Sequence, residues 1–241
     1  MFRYLLLVLV FVTVKIQSQN QYKSAEGHYS LSGFEIASGI YLIKNKQFFY
    51  YATFGAVDLK VYGSYKINNN GDLTLYPDKE LLKEFYIYGS KDVAPDNTIK
   101  ISYYKPYDRK AEKISIISDK ETLPFPEFTS NKREVSLTFK RPVSNEIKIS
   151  IDTSKSTNSF LLPKNVNELK ILHNYYAQMT KKMAKSAFKV KEDYLIDDKL
   201  KKHKRKDINS KTIEKVLSFI GKKQQNRSFV KRGKTFEIID N

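Results

Sequence analysis

Residues 58–67 read DLKVYGSYKI, and their side chains alternate between polar and apolar along the chain. Leu59, Val61, Tyr65 and Ile67 fall on one face, and the polar and charged side chains fall on the other. Successive side chains of a β-strand point to opposite faces of its sheet, so this period of two predicts a strand with one buried face. The same period recurs in three later stretches: Ile99, Ile101 and Tyr103; Val135, Leu137 and Phe139; and Ile147, Ile149 and Ile151. We therefore expect antiparallel strands in all four places.

Short polar segments separate these stretches and are typical of tight turns. Residues 44–46 and 68–72 are examples, because asparagine and glycine adopt the positive φ angles that hairpin turns require. The spacing predicts a meander of neighbouring strands. The expected strands span residues 27–37, 39–44, 47–54, 57–67, 72–76, 84–88, 98–105, 112–118, 133–141, 146–152, 159–162 and 168–173.

The pattern changes beyond Asn174, where apolar residues recur with helical spacing. One amphipathic helix is predicted from Tyr176, Met179, Met183 and Ala187. A second is predicted from Ile213, Val216, Leu217 and Ile220, and would end at Gly221. Two apolar stretches, 228–230 and 235–239, flank a polar turn and predict a terminal hairpin.

The first residues have the layout of a secretory signal peptide. A charged start precedes an apolar run over residues 4–14, and Ser18 is a small residue after which cleavage would fit. The run is too short to span a bilayer, which takes roughly 20 apolar residues. We expect residues 1–18 to be removed and the mature chain, without a transmembrane segment, to be periplasmic or secreted. A signal anchor is the alternative.

The chain has no cysteine, so an exported form could not use disulfides for its stability. It carries a formal net charge of +17, and residues 181–241 hold 19 Lys and Arg against 8 Asp and Glu. Lysine outnumbers arginine 36 to 7, whereas proteins that read nucleic acids favour the bidentate arginine. No specific nucleic acid is therefore expected as a partner. An AT-rich genome would also explain the excess of lysine.

A basic run lies between the two expected helices. Its candidate residues for binding a polyanion are Lys199, Lys201, Lys202, Lys204, Arg205 and Lys206. Such a run could bind an anionic envelope polymer or lipid head groups, since each lysine near an anionic membrane contributes about 1 kcal/mol. The alternative is a solvated linker between two helices.

A resemblance to known proteins is carried by the glycine-punctuated first half. Its residues are GFEIASGIYL at 33–42, FFY at 48–50, GAVD at 55–58 and GSY at 63–65. The stretch resembles an uncharacterised group of exported bacterial proteins whose first half is similar to lipocalin-like β-barrels, with a β-sandwich-like segment after it. The resemblance implies a barrel that either encloses a small apolar pocket or is filled by its own side chains. Lipocalins proper usually carry an early tryptophan and often a disulfide. This chain has neither, so no binding residues are transferred.

These observations predict an all-β fold with a small α-helical tail. A lipocalin-like meander barrel would be followed by a β-sandwich-like segment and a basic helical C-terminal region. The expected divisions are a signal peptide at 1–18, the barrel at 19–96, the β-sandwich-like domain at 97–174, and a basic helical tail with a terminal hairpin at 175–241.

Few residues point to catalysis. His28, His173 and His203 lack the spacing of zinc ligands, and the chain has neither a G-x-S-x-G elbow nor a cysteine nucleophile. No metal or cofactor is expected, and no catalytic residue is assigned. A hydrolase that uses paired carboxylates stays an alternative, for which Glu35 and Asp58 are the pair to inspect, since burial could raise the pKa of one of them. Exposure to solvent or pairing with lysine would remove that role.

Aromatic clusters provide the remaining candidates. Tyr50 and Tyr103 lie in such clusters and could stack on a ligand, although packing in the core of a sheet is the alternative. The candidate ligand-binding residues are therefore Glu35, Tyr50, Asp58 and Tyr103. The leading hypothesis is a non-catalytic binding or structural module of the bacterial envelope, with a small apolar ligand or an anionic envelope polymer as its partner. Hydrolysis, or binding of a polyanion or nucleic acid through the basic run, are the alternatives.

Overall fold

The computed structural model describes residues 22–90, 97–104, 113–129, 132–151 and 157–240. Within these ranges the chain is mostly β-strand with a closed barrel and few short helices, which confirms the expected fold class. None of the helices described is both long and apolar enough to cross a membrane. The expected signal peptide at 1–18 lies outside the described residues.

The elements follow in chain order. The strands are β1 Gly27–Ser30, β2 Ala37–Ile43, β3 Gln47–Phe54, β4 Val57–Ile67, β5 Asp72–Pro77, β6 Phe85–Ser90, β7 Thr98–Tyr104, β8 Ile114–Ser118, β9 Glu121–Pro124, β10 Glu134–Lys140, β11 Glu146–Ile151, β12 Thr157–Leu161, β13 Glu168–His173, β14 Phe188–Lys191, β15 Tyr194–Ile196, β16 Lys202–Lys206, β17 Ser228–Lys231 and β18 Lys234–Ile239. The helices are α1 at residues 22–25, α2 Lys79–Leu82, α3 Ala177–Ala184 and α4 Ser210–Gln225.

Two compact units divide the chain. The first holds residues up to Leu82 together with Tyr176–Lys223, and the second holds Lys83–Tyr175 and the residues from Gln224 onward. The first unit contains a closed antiparallel barrel in the order β1–β16–β15–β14–β5–β4–β3–β2. Each unit is therefore built from two separate parts of the sequence.

The walls of the barrel alternate as the period of two predicts. On β4, Leu59 and Val61 are buried inside the barrel, whereas Asp58 and Lys60 are exposed. Other strands add apolar side chains to the same core: Tyr29, Ile40, Leu42, Phe48, Leu73, Leu75, Phe188 and Leu195. Burial of this apolar interior is the main contribution that stabilises the barrel.

The barrel has two rims, which we name by their turns. The lower rim consists of residues 44–46, 68–71 and 192–193, and the upper rim consists of residues 31–36, 55–56 and 197–201. At the lower rim, Tyr29 Oη donates a hydrogen bond of 2.8 Å to the carbonyl of Ala25 in α1. At the upper rim, α3 packs Met179 and Met183 against the barrel core. A helix therefore lies against each end.

Helix α4 covers part of the outer wall. Its Phe219 meets Phe49 edge to face, with 5.5 Å between the ring centroids, and Val216 and Ile220 are buried in the same cluster. The aromatic stretch 48–51 is thereby explained, because Phe48 packs inside the barrel and Phe49 packs outside it.

The second unit packs two sheets around one core. A six-stranded sheet, β10–β7–β13–β6–β18–β17, faces a four-stranded sheet, β12–β11–β8–β9. Ile99 and Ile101 of the first sheet and Ile147 and Ile149 of the second are fully buried between them, as their alternation predicts. The terminal hairpin β17–β18 is present and extends the six-stranded sheet beside β6.

The structure differs from the sequence expectation in several places. Helix α3 ends at Ala184 and does not include Ala187, and helix α4 continues past Gly221 to Gln225. The segment 188–206 forms three barrel strands, so the interpretation of its basic run as a solvated linker between helices is wrong. The expected strand at 27–37 is broken by a turn at residues 31–36. Strands β14 to β16 are too short to display a clear period, so the sequence pattern predicts a barrel contained within 19–96. Strand β6, placed in that barrel by the same expectation, belongs to the second unit.

Candidate ligand-binding site

A pocket of about 310 Å³ lies at the upper rim of the barrel. Its apolar wall comes from β3, β4, β14, the turn after β1, and α3: Leu31, Tyr50, Ala52, Phe54, Leu59, Met179, Met183 and Phe188. Its polar lining consists of Lys182, Ser186, Asp197 and Asp198. An apolar wall with a few polar groups is the usual composition of a site for a small molecule.

Toward the lower rim the barrel is filled by its own side chains. Tyr29, Phe48 and Tyr65 are among the largest fully buried residues of the described chain. Burial raises the pKa of Tyr65, so its hydroxyl stays neutral, and this hydroxyl has no hydrogen-bond partner among the described residues. The open space of this pocket therefore lies at the upper end of the barrel.

A buried histidine contacts Asp197, one of the polar residues that line the pocket. His203, on β16, is 5% exposed, and its Nδ1 lies 2.8 Å from the carbonyl oxygen of Ser30. Its Nε2 lies 2.9 Å from Oδ2 of Asp197. Both ring nitrogens therefore lie within hydrogen-bonding distance of oxygen atoms. These contacts fasten the turn after β15 to the end of β1.

Asp197 is a structural part of the pocket edge. Its Oδ1 accepts hydrogen bonds from the backbone N–H groups of Lys199 and Lys201, at 3.0 and 2.9 Å. Burial acts to raise the pKa of Asp197, but hydrogen bonds from His203 and from those two N–H groups outweigh it and hold the pKa below its usual range. Asp197 therefore stays ionised and is fully engaged within the protein.

Tyr50 is the sequence-predicted residue that lines the pocket. It is half-buried on β3, and burial raises the pKa of its hydroxyl. Glu35 instead lies exposed in the turn between β1 and β2, with a positive φ of 59°. Asp58 lies on the outer wall, where it accepts a hydrogen bond of 2.6 Å from Lys60. Neither carboxylate lines the pocket.

Tyr103 belongs to the core of the second unit. It is fully buried and packs against Phe125 and Phe128, with ring centroids 5.7 and 5.6 Å away. Its alternation with Ile101 accounts for this placement, because both fall on the inner face of β7. The structure thus brings Tyr50 and Tyr103 into different units.

The six predicted polyanion-binding residues divide into three groups. Lys202, Lys204 and Lys206 are exposed side by side on the outer wall of β16. Arg205 forms an ion pair of 2.9 Å with Asp193, so its charge is compensated by a carboxylate of the same barrel. The other two, Lys199 and Lys201, lie in the upper-rim turn that contains Asp197. Five of the six lysine and arginine side chains are therefore exposed.

A second polar cluster lies on the outer face of the six-stranded sheet. Lys170 is 4% exposed, and its Nζ donates a hydrogen bond of 3.2 Å to Tyr104 Oη and lies 3.6 Å from Glu168. Burial lowers the pKa of Lys170, although Glu168 acts against the shift. In the terminal hairpin, Lys231 hydrogen bonds to Tyr104, and Lys234 bonds to Glu168 at 2.9 Å. This network fastens the hairpin to the sheet.

Sequence reasoning missed most of the pocket. The spacing of Met179 and Met183 predicts one face of a helix, but it does not indicate that this face covers an end of the barrel. Lys182 could not be distinguished in the sequence from the many other lysines. Phe188 lies in a strand of four residues, which is too short to show a period. Among the described residues, no group of three or more histidine and carboxylate side chains is arranged to hold a metal ion.

Comparisons with known proteins add no information about this site. No protein-family model, curated protein or solved structure matches this chain.

Proposed function

We propose that this chain is a non-catalytic binding module of the bacterial envelope, exported by residues 1–18, whose lipocalin-like barrel holds a small apolar ligand at its upper rim. The observation that carries the proposal is the pocket of about 310 Å³ with an apolar wall. That volume is at the lower end of the range for small-molecule sites, about 300–1,000 Å³. A single short acyl chain or a compact ring system is the class of ligand that fits.

The charges at the pocket favour an anionic head on that ligand. Lys182 lines the pocket, and Lys181 and Lys185 are exposed beside it on the same helix and its end. The oxygens of Asp197 are engaged by His203 and by the N–H groups of Lys199 and Lys201, which leaves Asp198 as the acidic group of the lining for which no such contacts are described. A fatty-acid-like amphipath would place its chain on the apolar wall and its carboxylate near Lys182.

A second candidate function is the binding of an anionic envelope polymer. It is favoured by Lys202, Lys204 and Lys206, which project from the same exposed face of β16. Alternate residues of a strand lie roughly 6–7 Å apart, so these ammonium groups form a short basic row. Such binding would weaken as salt is added. Hydrolysis by Glu35 and Asp58 is supported by no comparable feature.

Filling the pocket tests the first proposal. Ser186 lines the pocket, whereas its neighbour Ala187 is exposed and does not. We expect Ser186→Trp to lower the affinity for dodecanoate about tenfold or more, because the added ring occupies the ligand space. Isothermal titration calorimetry measures the affinity.

Ala187→Trp is the matched control and should bind dodecanoate within about twofold of the unchanged protein. Equal affinities in all three proteins would place dodecanoate elsewhere, and absence of heat in all three would remove this ligand class.

A further inference from the structure

The turns of the upper rim are apolar at their tips. They read GFEI at residues 33–36 and FGAV at residues 54–57, and the third contains Leu200. Phe34 is 92% exposed and Leu200 is 81% exposed. Turns are normally built from small and polar residues, so large exposed apolar side chains at two tips call for an explanation.

The lower rim of the same barrel provides the comparison. Its turns consist of polar or small residues: Lys44, Asn45, Lys46, Asn68, Asn69, Asn70, Gly71, Glu192 and Asp193. Both rims belong to one chain of one composition. The apolar character is therefore a property of one end of the barrel and not of the sequence as a whole.

The three turns lie side by side, and the third, residues 197–201, has Leu200 as its apolar residue among four charged ones. Strands β16, β1, β2, β3 and β4 are consecutive neighbours in the wall, and the three turns join or adjoin them at the same end. Lys201 Nζ, next to Leu200, lies 3.5 Å from the carbonyl oxygen of Ser32 in the neighbouring turn. Leu31, Phe54 and Asp198 from these turns line the pocket, so the tips surround its mouth.

Leu200 occupies a backbone position that does not suit a leucine. Its φ is +62°, in the left-handed region that favours glycine, asparagine and aspartate. The chain thus keeps a bulky apolar side chain, largely in water, where a polar residue would be less strained. Little of this side chain is buried on folding, since it is 81% exposed, which points to a role in binding.

Cations flank the apolar tips. Lys199 and Lys201 stand on either side of Leu200, and α3 with its end adds Lys181, Lys182 and Lys185. The carboxylates at this rim are Glu35, Asp198 and Asp197, the last already paired with His203. The surface around the pocket mouth therefore combines apolar tips with a surplus of positive charge.

We propose that the upper rim is a docking surface for an anionic lipid bilayer. Phe34 and Leu200 enter the hydrocarbon at the head-group boundary, and the lysines meet the lipid phosphates. A soluble anionic polymer would satisfy the lysines but offers nothing to the apolar tips, so the observations favour lipid. The proposal concerns a surface and does not depend on what the pocket holds.

Tryptophan reporters test which rim meets the lipid. The chain contains no tryptophan, so each substitution gives a single emission signal. Phe34→Trp reports on the upper rim and Asn69→Trp, also exposed, on the lower rim. With vesicles of equal phosphatidylglycerol and phosphatidylcholine, we expect the emission of the first to move to shorter wavelength and that of the second to stay unchanged. Both proteins are made without residues 1–18, so the apolar run at residues 4–14 cannot bind the vesicles.

A substitution of the tips tests the apolar contribution. In the pair Phe34→Ser and Leu200→Asn, the vesicle partition coefficient should fall about tenfold or more, because two apolar side chains no longer leave water. Urea unfolding should show no loss of stability, since Leu200→Asn also suits the left-handed backbone.

The proposal would be overturned by an unchanged spectrum of the Phe34→Trp protein, by equal shifts in both reporters, or by full vesicle binding of the doubly substituted protein. Competition with dextran sulfate gives a further test. If this polymer displaces the protein completely from the vesicles, and the double substitution does not change vesicle binding, then lysines alone account for the binding. That result would also overturn the proposal.

Discussion

Replacing His203 by alanine is expected to lower the free energy of unfolding by about 3 kcal/mol, because it removes a buried ring together with the hydrogen-bonding contacts of both of its nitrogens. The carboxylate of Asp197 would keep its backbone hydrogen bonds but lose its contact with the imidazole Nε2, which lies 2.9 Å away. The carbonyl of Ser30 would lose its donor as well. Urea unfolding followed by circular dichroism measures the change.

Lys204→Ala is the matched control for this substitution. Lys204 lies on the same strand, one residue after His203, and its side chain is exposed on the outer wall. Its replacement should change the free energy of unfolding by no more than about 0.5 kcal/mol. Equal effects of the two substitutions would show that the His203 and Asp197 pair does not stabilise the barrel.

The same pair predicts how stability depends on pH. The pKa of Asp197 is lower in the folded protein than its ordinary value of 3.8. A carboxyl group of this kind contributes stability that is present above its unfolded pKa and is lost as the pH falls through its folded pKa. The stability difference between the unchanged protein and Asp197→Asn should therefore stay constant above about pH 5 and shrink as the pH falls below about 4. A difference that stays constant down to about pH 2 would contradict the assignment.

Gly63→Ala is expected to destabilise the barrel by a similar amount, about 3 kcal/mol, because the backbone of β5 passes too close for a side chain. A Cβ at Gly63 would lie 2.1 Å from the carbonyl oxygen of Tyr76 and 2.8 Å from Cα of Pro77. Backbone atoms cannot turn away as a flexible side chain can, so β4 and β5 would have to separate. The same unfolding measurement detects the loss.

Gly221→Ala provides the opposite result as a control. Gly221 lies within helix α4, and a Cβ there would meet nothing within 4 Å. Alanine in a helix interior is more favourable than glycine by about 0.5–1 kcal/mol, so the free energy of unfolding should rise. If both substitutions destabilise the protein, or neither does, the close approach of the Tyr76 carbonyl is not what excludes a side chain at Gly63.

The strands with one buried face could be predicted from sequence because burial imposes their period. Leu59 and Val61 on β4, and Ile147 and Ile149 on β11, fall inside as their alternation predicts. Tyr103 could also have been assigned to a core, since it continues the buried face of Ile99 and Ile101.

The closure of the barrel was beyond the sequence signal. Strands β14, β15 and β16 have four, three and five residues. In β16, the alternating Lys202, Lys204 and Lys206 make the sequence look like a basic run and not like a strand with an inward face. The pocket follows from that closure, because it forms where α3, β14 and the turn after β15 meet β3, β4 and the turn after β1. Tyr50 was found from its aromatic cluster, whereas Asp197 and His203 had no local pattern.

Methionine methyl signals test the central claim most directly. The chain contains three methionines, and the two other than Met1, which are Met179 and Met183, both line the pocket. In protein labelled with ¹³C-methyl methionine, titration with dodecanoate should shift both of their NMR signals in a saturable manner, with Met179→Leu giving the assignment. Signals of Met179 and Met183 that stay in place, while calorimetry records that dodecanoate is bound, would contradict a ligand site at the upper rim.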